Sequence, residues 1–157
     1  MAPPDVTDPH ATQPDPLRLD AWVAFLRAHA RVVAVLDAEL REEAGLPLTW
    51  YDVLVQLSEA GGEVRMSDLA ERLLLSRSAT TRLVDRVERA GLVGRSVPSD
   101  DARGRIVSLT ESGRTTLASA AVVHLAGVQR HFARHLDDAE AAVVARVFGR
   151  VVGDAYS

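Results

Sequence analysis

Residues 67–91 read SDLAERLLLSRSATTRLVDRVERAG, and residues 92–111 continue LVGRSVPSDDARGRIVSLTE. Ser67 predicts a helix N-cap, since a hydroxyl there accepts from an amide that the helix start leaves unpaired, and Asp68 and Glu71 add negative charge to the first turn. This helix is expected to run to about Leu74. Ser76 repeats the capping signal nine residues later, so 67–91 reads as two helices joined by a tight turn, with Gly91 as the stop. Beyond Gly91 the pattern becomes extended: Leu92–Val97 and Arg105–Leu109 flank the turn-rich stretch 98–104. The two strands predict a hairpin whose tip carries Arg103. A helix-turn-helix followed directly by a charged hairpin is a winged helix, in which the second helix enters the DNA major groove and the wing reaches the adjacent minor groove.

Within the second helix, Ala79, Leu83, Val87 and Ala90 fall on one side and are expected to pack inward. Arg77, Ser78, Thr81, Arg82, Arg86 and Arg89 face away, with Arg77 and the hydroxyls in the first turn, where base-edge contacts are made. Asp85, three or four residues from Arg82 and Arg89, is expected to orient one of those guanidiniums. The candidate DNA-contacting set is therefore Arg77, Ser78, Thr81, Arg82, Arg86, Arg103 and Arg105, with Arg105, nearer the body of the hairpin, assigned to phosphate. The alternative is a solvated charged helix face. No aromatic residue occurs between Gly61 and Thr116, so the stacking platforms used for single strands are missing and double-stranded DNA is favoured.

Working outward, Thr110 caps a long helix from Glu111 to about His135, and Asp137-Asp138 starts a last one with Ala141, Val144, Val147, Phe148 and Val151 spaced for burial. Upstream, Glu63–Met66 is a short extended piece. Thr49 is the expected N-cap of a helix with Val53, Leu54 and Leu57 inward and Gly61-Gly62 as its stop. A further stripe, Leu19, Trp22, Val23, Leu26, Ala30, Val33, Leu36 and Leu40, predicts a long amphipathic helix ending at Ala44-Gly45. Five of the seven prolines lie in residues 3–16, which reads as a disordered tail. The expected segmentation is a tail (1–16), an N-terminal helix (17–45), a winged helix-turn-helix region (46–110) and C-terminal helices (111–157): a mainly α fold with a small β-hairpin wing.

The chain of 157 residues is 47% hydrophobic with a net charge of −4, which suits one globular domain with extra helices. The charge is uneven. Arg65 to Arg114 carries ten Arg against seven acids, whereas the remainder has eight Arg against fifteen, so a basic middle lies between acidic ends. Cysteine is absent, which removes disulfides, thiolate metal sites, thiol nucleophiles and thiol redox sensing. No apolar run is long enough to span a membrane and the N-terminus lacks a secretory signal, so a cytoplasmic location without membrane partners is expected. Asp100-Asp101 and Asp137-Asp138 are paired carboxylates, but with no nucleophile, phosphate loop or triad beside them no enzyme and no cofactor is expected.

The segment 101–113 reads DARGRIVSLTESG and fits D-x-R-x-x-x-V-x-L-T-x-x-G at every fixed position, the pattern of the MarR family of multiple-antibiotic-resistance-type regulators. Leu48-Thr49, Val53-Leu54, Leu69-Ala70, Thr81–Glu88 and Gly91–Val93 also resemble that family's segments, so the likeness covers roughly residues 18–152. The resemblance implies a homodimer held by the first and last two helices (17–45 and 111–157), repressing from a pseudo-palindromic promoter site. It also implies that Arg103 enters the minor groove and that Asp101 holds it by an ion pair. An arginine on a hairpin tip can in any case sense the potential of a narrow A·T-rich groove; the alternative is that Asp101 and Arg103 only staple the turn.

Family regulators commonly take small anionic aromatic effectors in a cleft between the dimer helices and the winged helix. Trp22, His29, Trp50 and Tyr51 are the candidate lining residues, against the alternative that these rings simply fill the core. His124, His131 and His135 share one face of the long predicted helix, and His131 and His135 have the i, i+4 spacing of a two-histidine metal site without a motif for the remaining ligands. Two further readings stay open: a metal-responsive regulator of the same fold, and a winged helix used for protein–protein contacts.

Overall fold

The computed structural model describes residues 13–97 and 104–154. Most of the predicted tail, the tip of the wing with Asp101 and Arg103, and Tyr156 lie outside the described residues. The elements run α1 (Pro16–Ala44), α2 (Leu48–Glu59), β1 (Glu63–Arg65), α3 (Met66–Arg72), α4 (Arg77–Arg89), β2 (Val93–Ser96), β3 (Ile106–Leu109) and α5 (Glu111–His131). A 3-10 turn (Ala133–His135) and α6 (Asp138–Asp154) follow.

The chain divides into two compact units that meet within α1, after Ala34. In the N-terminal unit α1 carries a ring series, Trp22 to Phe25 at 5.8 Å and Phe25 to His29 at 5.9 Å between centroids. The larger unit begins at Val35 and is built around α2. Val53, Leu54 and Leu57 of that helix are fully buried, together with Leu40, Leu69, Val84, Val87 and Val107 from α1, α3, α4 and β3. Burying this apolar surface drives the elements together, at about 25 cal/mol per Å² removed from water.

The sheet has three antiparallel strands in the order β1-β3-β2, with Val64 opposite Val107 and Arg95 opposite Val107 on the other side. The wing hairpin expected from β2 and β3 is thus widened by the short extended piece before α3.

Several expected caps are replaced by contacts from distant segments. Thr49 does not cap α2: the helix begins at Leu48, whose amide donates to Asp37 Oδ1 of α1 at 2.8 Å. Ser67 does not cap α3, which begins one residue earlier at Met66, with the Met66 amide donating to the Arg105 carbonyl at 2.9 Å and the Ser67 hydroxyl turned to Asp68. That helix ends at Arg72 rather than about Leu74, and Leu74 takes a left-handed conformation at φ 55°. Ser76 and Thr110 do cap α4 and α5, accepting from Ala79 and Gly113 amides.

Thr110 also donates its hydroxyl to the Gly91 carbonyl at 2.7 Å, and its amide to the Leu92 carbonyl. It therefore ties the end of α4 and the start of β2 to the start of α5. Gly113 completes this joint, since a Cβ there would stand 2.0 Å from the Leu92 carbonyl oxygen.

The long C-terminal helix stops at His131 instead of about His135, because Phe132 leaves helical geometry at φ −133°. Asp137 and Glu140 then form a reciprocal capping box, each carboxylate accepting the other's backbone amide. Of the α6 residues spaced for burial, Val144 and Val147 are half-buried and Ala141, Phe148 and Val151 are exposed. Among the described residues, no helix is long and apolar enough to cross a membrane.

Candidate nucleic-acid interface

Helix α4 is divided cleanly by burial. Thr80, Leu83, Val84 and Val87 are buried, and the Thr80 hydroxyl is satisfied by donating to the Ser76 carbonyl at 3.0 Å. Leu83 and Val87 are thus inward as expected, whereas Thr80 and Val84 complete the stripe in place of Ala79, which is half-buried, and Ala90, which is exposed. On the other side Arg77, Ser78, Thr81, Arg82, Arg86 and Arg89 are all exposed. Thr81 donates to the Arg77 carbonyl at 2.9 Å, which leaves its oxygen free to accept, and the Ser78 hydroxyl lies 3.3 Å from that of Ser76.

Arg77 and Thr81 line a cleft of about 530 Å³ together with Met66, Ser67, Arg95 and Arg105. The structure thus brings the start of α4 beside Arg105, an exposed residue leading into β3 whose carbonyl holds the start of α3. The guanidiniums of Arg77 and Arg105 and the hydroxyls of Ser67 and Thr81 suit this cleft to an anionic backbone, because arginine forks match phosphate oxygens. Arg82, Arg86 and Arg89 extend this basic surface along α4.

Asp85 does not orient Arg82 or Arg89 through its carboxylate. Its Oδ1 lies 2.6 Å from Arg95 Nη2 on β2, and Arg89 Nε instead donates to the Asp85 backbone carbonyl. Glu88 also accepts from Arg95, from Nε at 2.9 Å and from Nη2. That pairing holds the Glu88 carboxyl below the ordinary range. Intrahelical spacing could not reveal this cluster, since its centre is a strand residue; the only sequence signal was an arginine placed just past the Gly91 stop.

The candidate effector residues fall in different units. Trp22 and His29 belong to the ring series of the N-terminal unit. In the larger unit Trp50 is half-buried, and Tyr51 is buried with its ring stacked on His124 at 4.5 Å. His124 Nδ1 is buried without a hydrogen-bond partner among the described residues, and burial pushes the imidazole pKa down.

His131 and His135 do not share a helix face, since α5 ends between them. His131 Nε2 instead meets Glu39 Oε1 of α1 at 2.7 Å, while Arg130 reaches Glu39 Oε2 at 3.0 Å. These contacts, led by the one from His131, hold the Glu39 carboxyl low. Among the described residues no three His, Asp or Glu side chains are grouped to hold a metal.

A family model described as MarR family matches residues 44–104. Across the whole fold the chain is similar to AbsC, a MarR family transcriptional regulator from Streptomyces coelicolor, at 30% identity, with a TM-score of 0.85 and coverage of 91% of this chain and 97% of AbsC. The chain belongs to the MarR family. A second similar structure is the MarR family regulator Sco3205 of the same organism, solved in complex with DNA, at 28% identity and a TM-score of 0.80, covering 86% of this chain and 84% of that one. The HTH-type transcriptional regulator YfiV of Bacillus subtilis is 43% identical over 95 residues, which span 60% of this chain and 58% of that relative's length. As a MarR-family member the chain is one of a family of transcriptional regulators with a winged helix-turn-helix fold, and α3, α4 and the three-stranded sheet are the parts that fold supplies here.

Proposed function

We propose that this chain is a cytoplasmic transcriptional regulator that binds duplex DNA sequence-specifically as a homodimer and represses by covering a pseudo-palindromic promoter site. The observation that carries this reading is the exposed face of α4, where four arginines and two hydroxyls stand opposite the buried side formed by Thr80, Leu83, Val84 and Val87, next to a cleft bordered by Arg77 and Arg105. The solved complex of the similar Sco3205 with DNA supports it. Arg77, Ser78, Thr81 and Arg82 are assigned to base edges in the major groove, and Arg86 and Arg105 to phosphates. Arg103, steadied by Asp101, is assigned to the minor groove.

Dimerisation is assigned to the segments 17–45 and 111–157. Leu17, Leu19 and Trp22 of α1 and Val143, Val151 and Val152 of α6 are exposed apolar groups, and apolar surface of this kind on a single chain marks an association face. Release by a small aromatic anion is assigned to the Tyr51–His124 pair, where His124 Nδ1, without a hydrogen-bond partner among the described residues, offers a polar handle beside a ring.

The test is binding of the full chain to its own upstream DNA and to unrelated duplex at about 50 and 200 mM salt. With six to ten phosphate contacts, affinity should fall by roughly 10³ to 10⁵ between these salts. Binding that ignores salt, or no preference for the upstream fragment, would overturn the proposal.

A further inference from the structure

Helix α4 carries a difficulty for a DNA-reading element. Between Arg82 and Arg89 it holds two carboxylates, Asp85 and Glu88, both partly open to solvent. An unpaired carboxylate close to a phosphate backbone repels it, and low-dielectric surroundings sharpen that repulsion. Both acids are met by one residue. Arg95 projects from β2, where it sits opposite Val107 in the sheet, and its side chain is only 17% exposed. Its Nη2 faces Asp85 Oδ1 at 2.6 Å and also pairs with Glu88, and its Nε donates to Glu88 Oε2 at 2.9 Å.

We propose that Arg95 is a positioning residue for the DNA-reading helix, holding and neutralising Asp85 and Glu88 so that the open face of α4 meets DNA with its guanidiniums and hydroxyls. This rests on the DNA-binding reading above and deepens it. Arg95 differs here from Arg77, Arg82, Arg86 and Arg89, which are exposed. Its Nε and Nη2 are engaged by Glu88 and Asp85, so its charge is answered before any phosphate arrives. Because the fork spans from strand to helix, it also fixes the rotation of α4 about its own axis relative to β2. A lysine cannot replace it, since a single ammonium lacks the rigid planar fork that reaches two carboxylates at once.

The rival role is a direct phosphate contact, because Arg95 also borders the cleft with Arg77, Thr81 and Arg105. The two roles predict opposite behaviour when the carboxylates are removed. Binding of the full chain to its upstream duplex, over a salt series, would be compared for wild type, Arg95→Met, and Arg95→Met combined with Asp85→Asn and Glu88→Gln. We expect the single variant to bind about 10- to 100-fold more weakly and the triple variant to return to within about threefold of wild type, with an unchanged salt slope. Arg95→Lys, a gentler change for the fold, should lose several-fold, and Asp85→Asn should restore it. A triple variant as weak as Arg95→Met, with a salt slope smaller by about one, would make Arg95 a phosphate contact and overturn the positioning role. So would an Arg95→Lys chain that binds as wild type does. Loss of rescue while wild type binds overturns this role alone, whereas a wild-type chain that binds no duplex overturns both it and the function it rests on.

Discussion

Two residues show how local geometry sets measurable behaviour. Leu74 adopts φ 55° in the turn between α3 and α4 with 73% of its surface exposed. The left-handed region costs a branched side chain roughly 1–2 kcal/mol, and so exposed a leucine recovers little through burial. Leu74→Gly is therefore expected to leave stability unchanged or raise it by up to about 1 kcal/mol, after the larger chain entropy of glycine in the unfolded state is included. Leu74→Val should destabilise, and chemical unfolding of the two variants checks the sign of each effect. His124 is the second case. Burial depresses its pKa from the ordinary 6.5, so the folded state binds fewer protons than the unfolded state as pH falls through about 6.5, and stability is lost on acidification. The carboxyls held low, Asp37, Glu39 and Glu88, lose their contribution as well, but only below their ordinary values of 3.8 to 4.5. Between pH 7 and 5.5 the wild type should therefore weaken more than His124→Phe, which keeps a ring on Tyr51. Equal slopes in the two proteins would remove His124 as the source.

Elements were legible in the sequence wherever their signals were local. Ser76 and Thr110 cap helices through amides three residues away, and sequence spacing alone exposes such bonds. Thr49 and Ser67 were misread for the complementary reason. The amides they were expected to serve start helices whose first donors are taken by Asp37 and by the Arg105 carbonyl, partners brought in by tertiary packing. The same limit hid Arg95, since intrahelical rules see only Asp85's neighbours at three and four residues. Asp37→Ala should thus cost about 1 kcal/mol, the usual worth of a helix cap, although the capping residue belongs to another helix; urea unfolding that shows no loss would return the cap to Thr49. At the joint of α4, β2 and α5, Gly113→Ala must push its methyl against the Leu92 carbonyl. A loss of about 1–3 kcal/mol is expected, with a lower midpoint in thermal unfolding.

For the molecule as a whole, the uneven charge and the exposed apolar rows belong together. The basic middle of the chain contains α4 and the cleft beside it, whereas the helices at both ends are acidic overall and carry apolar groups left exposed among the described residues. Hydrophobic periodicity marked Ala141, Val144, Val147, Phe148 and Val151 for burial, yet only Val144 and Val147 are half-buried, because spacing shows that a face is apolar and not which surface covers it. A single chain of 16.9 kDa should accordingly sediment at about twice that mass. Val151→Asp with Val152→Asp, at positions already 61% and 58% exposed, should shift it toward monomer without unfolding it; a wild-type chain that sediments as a monomer would contradict the dimer. Most direct for the central claim, that the exposed face of α4 reads DNA sequence, is the affinity of Arg82→Ala for the upstream fragment and for unrelated duplex at one salt concentration. A base-reading Arg82 predicts a loss of about 1–3 kcal/mol on the upstream fragment alone, whereas equal losses on both duplexes, or none on either, would contradict it.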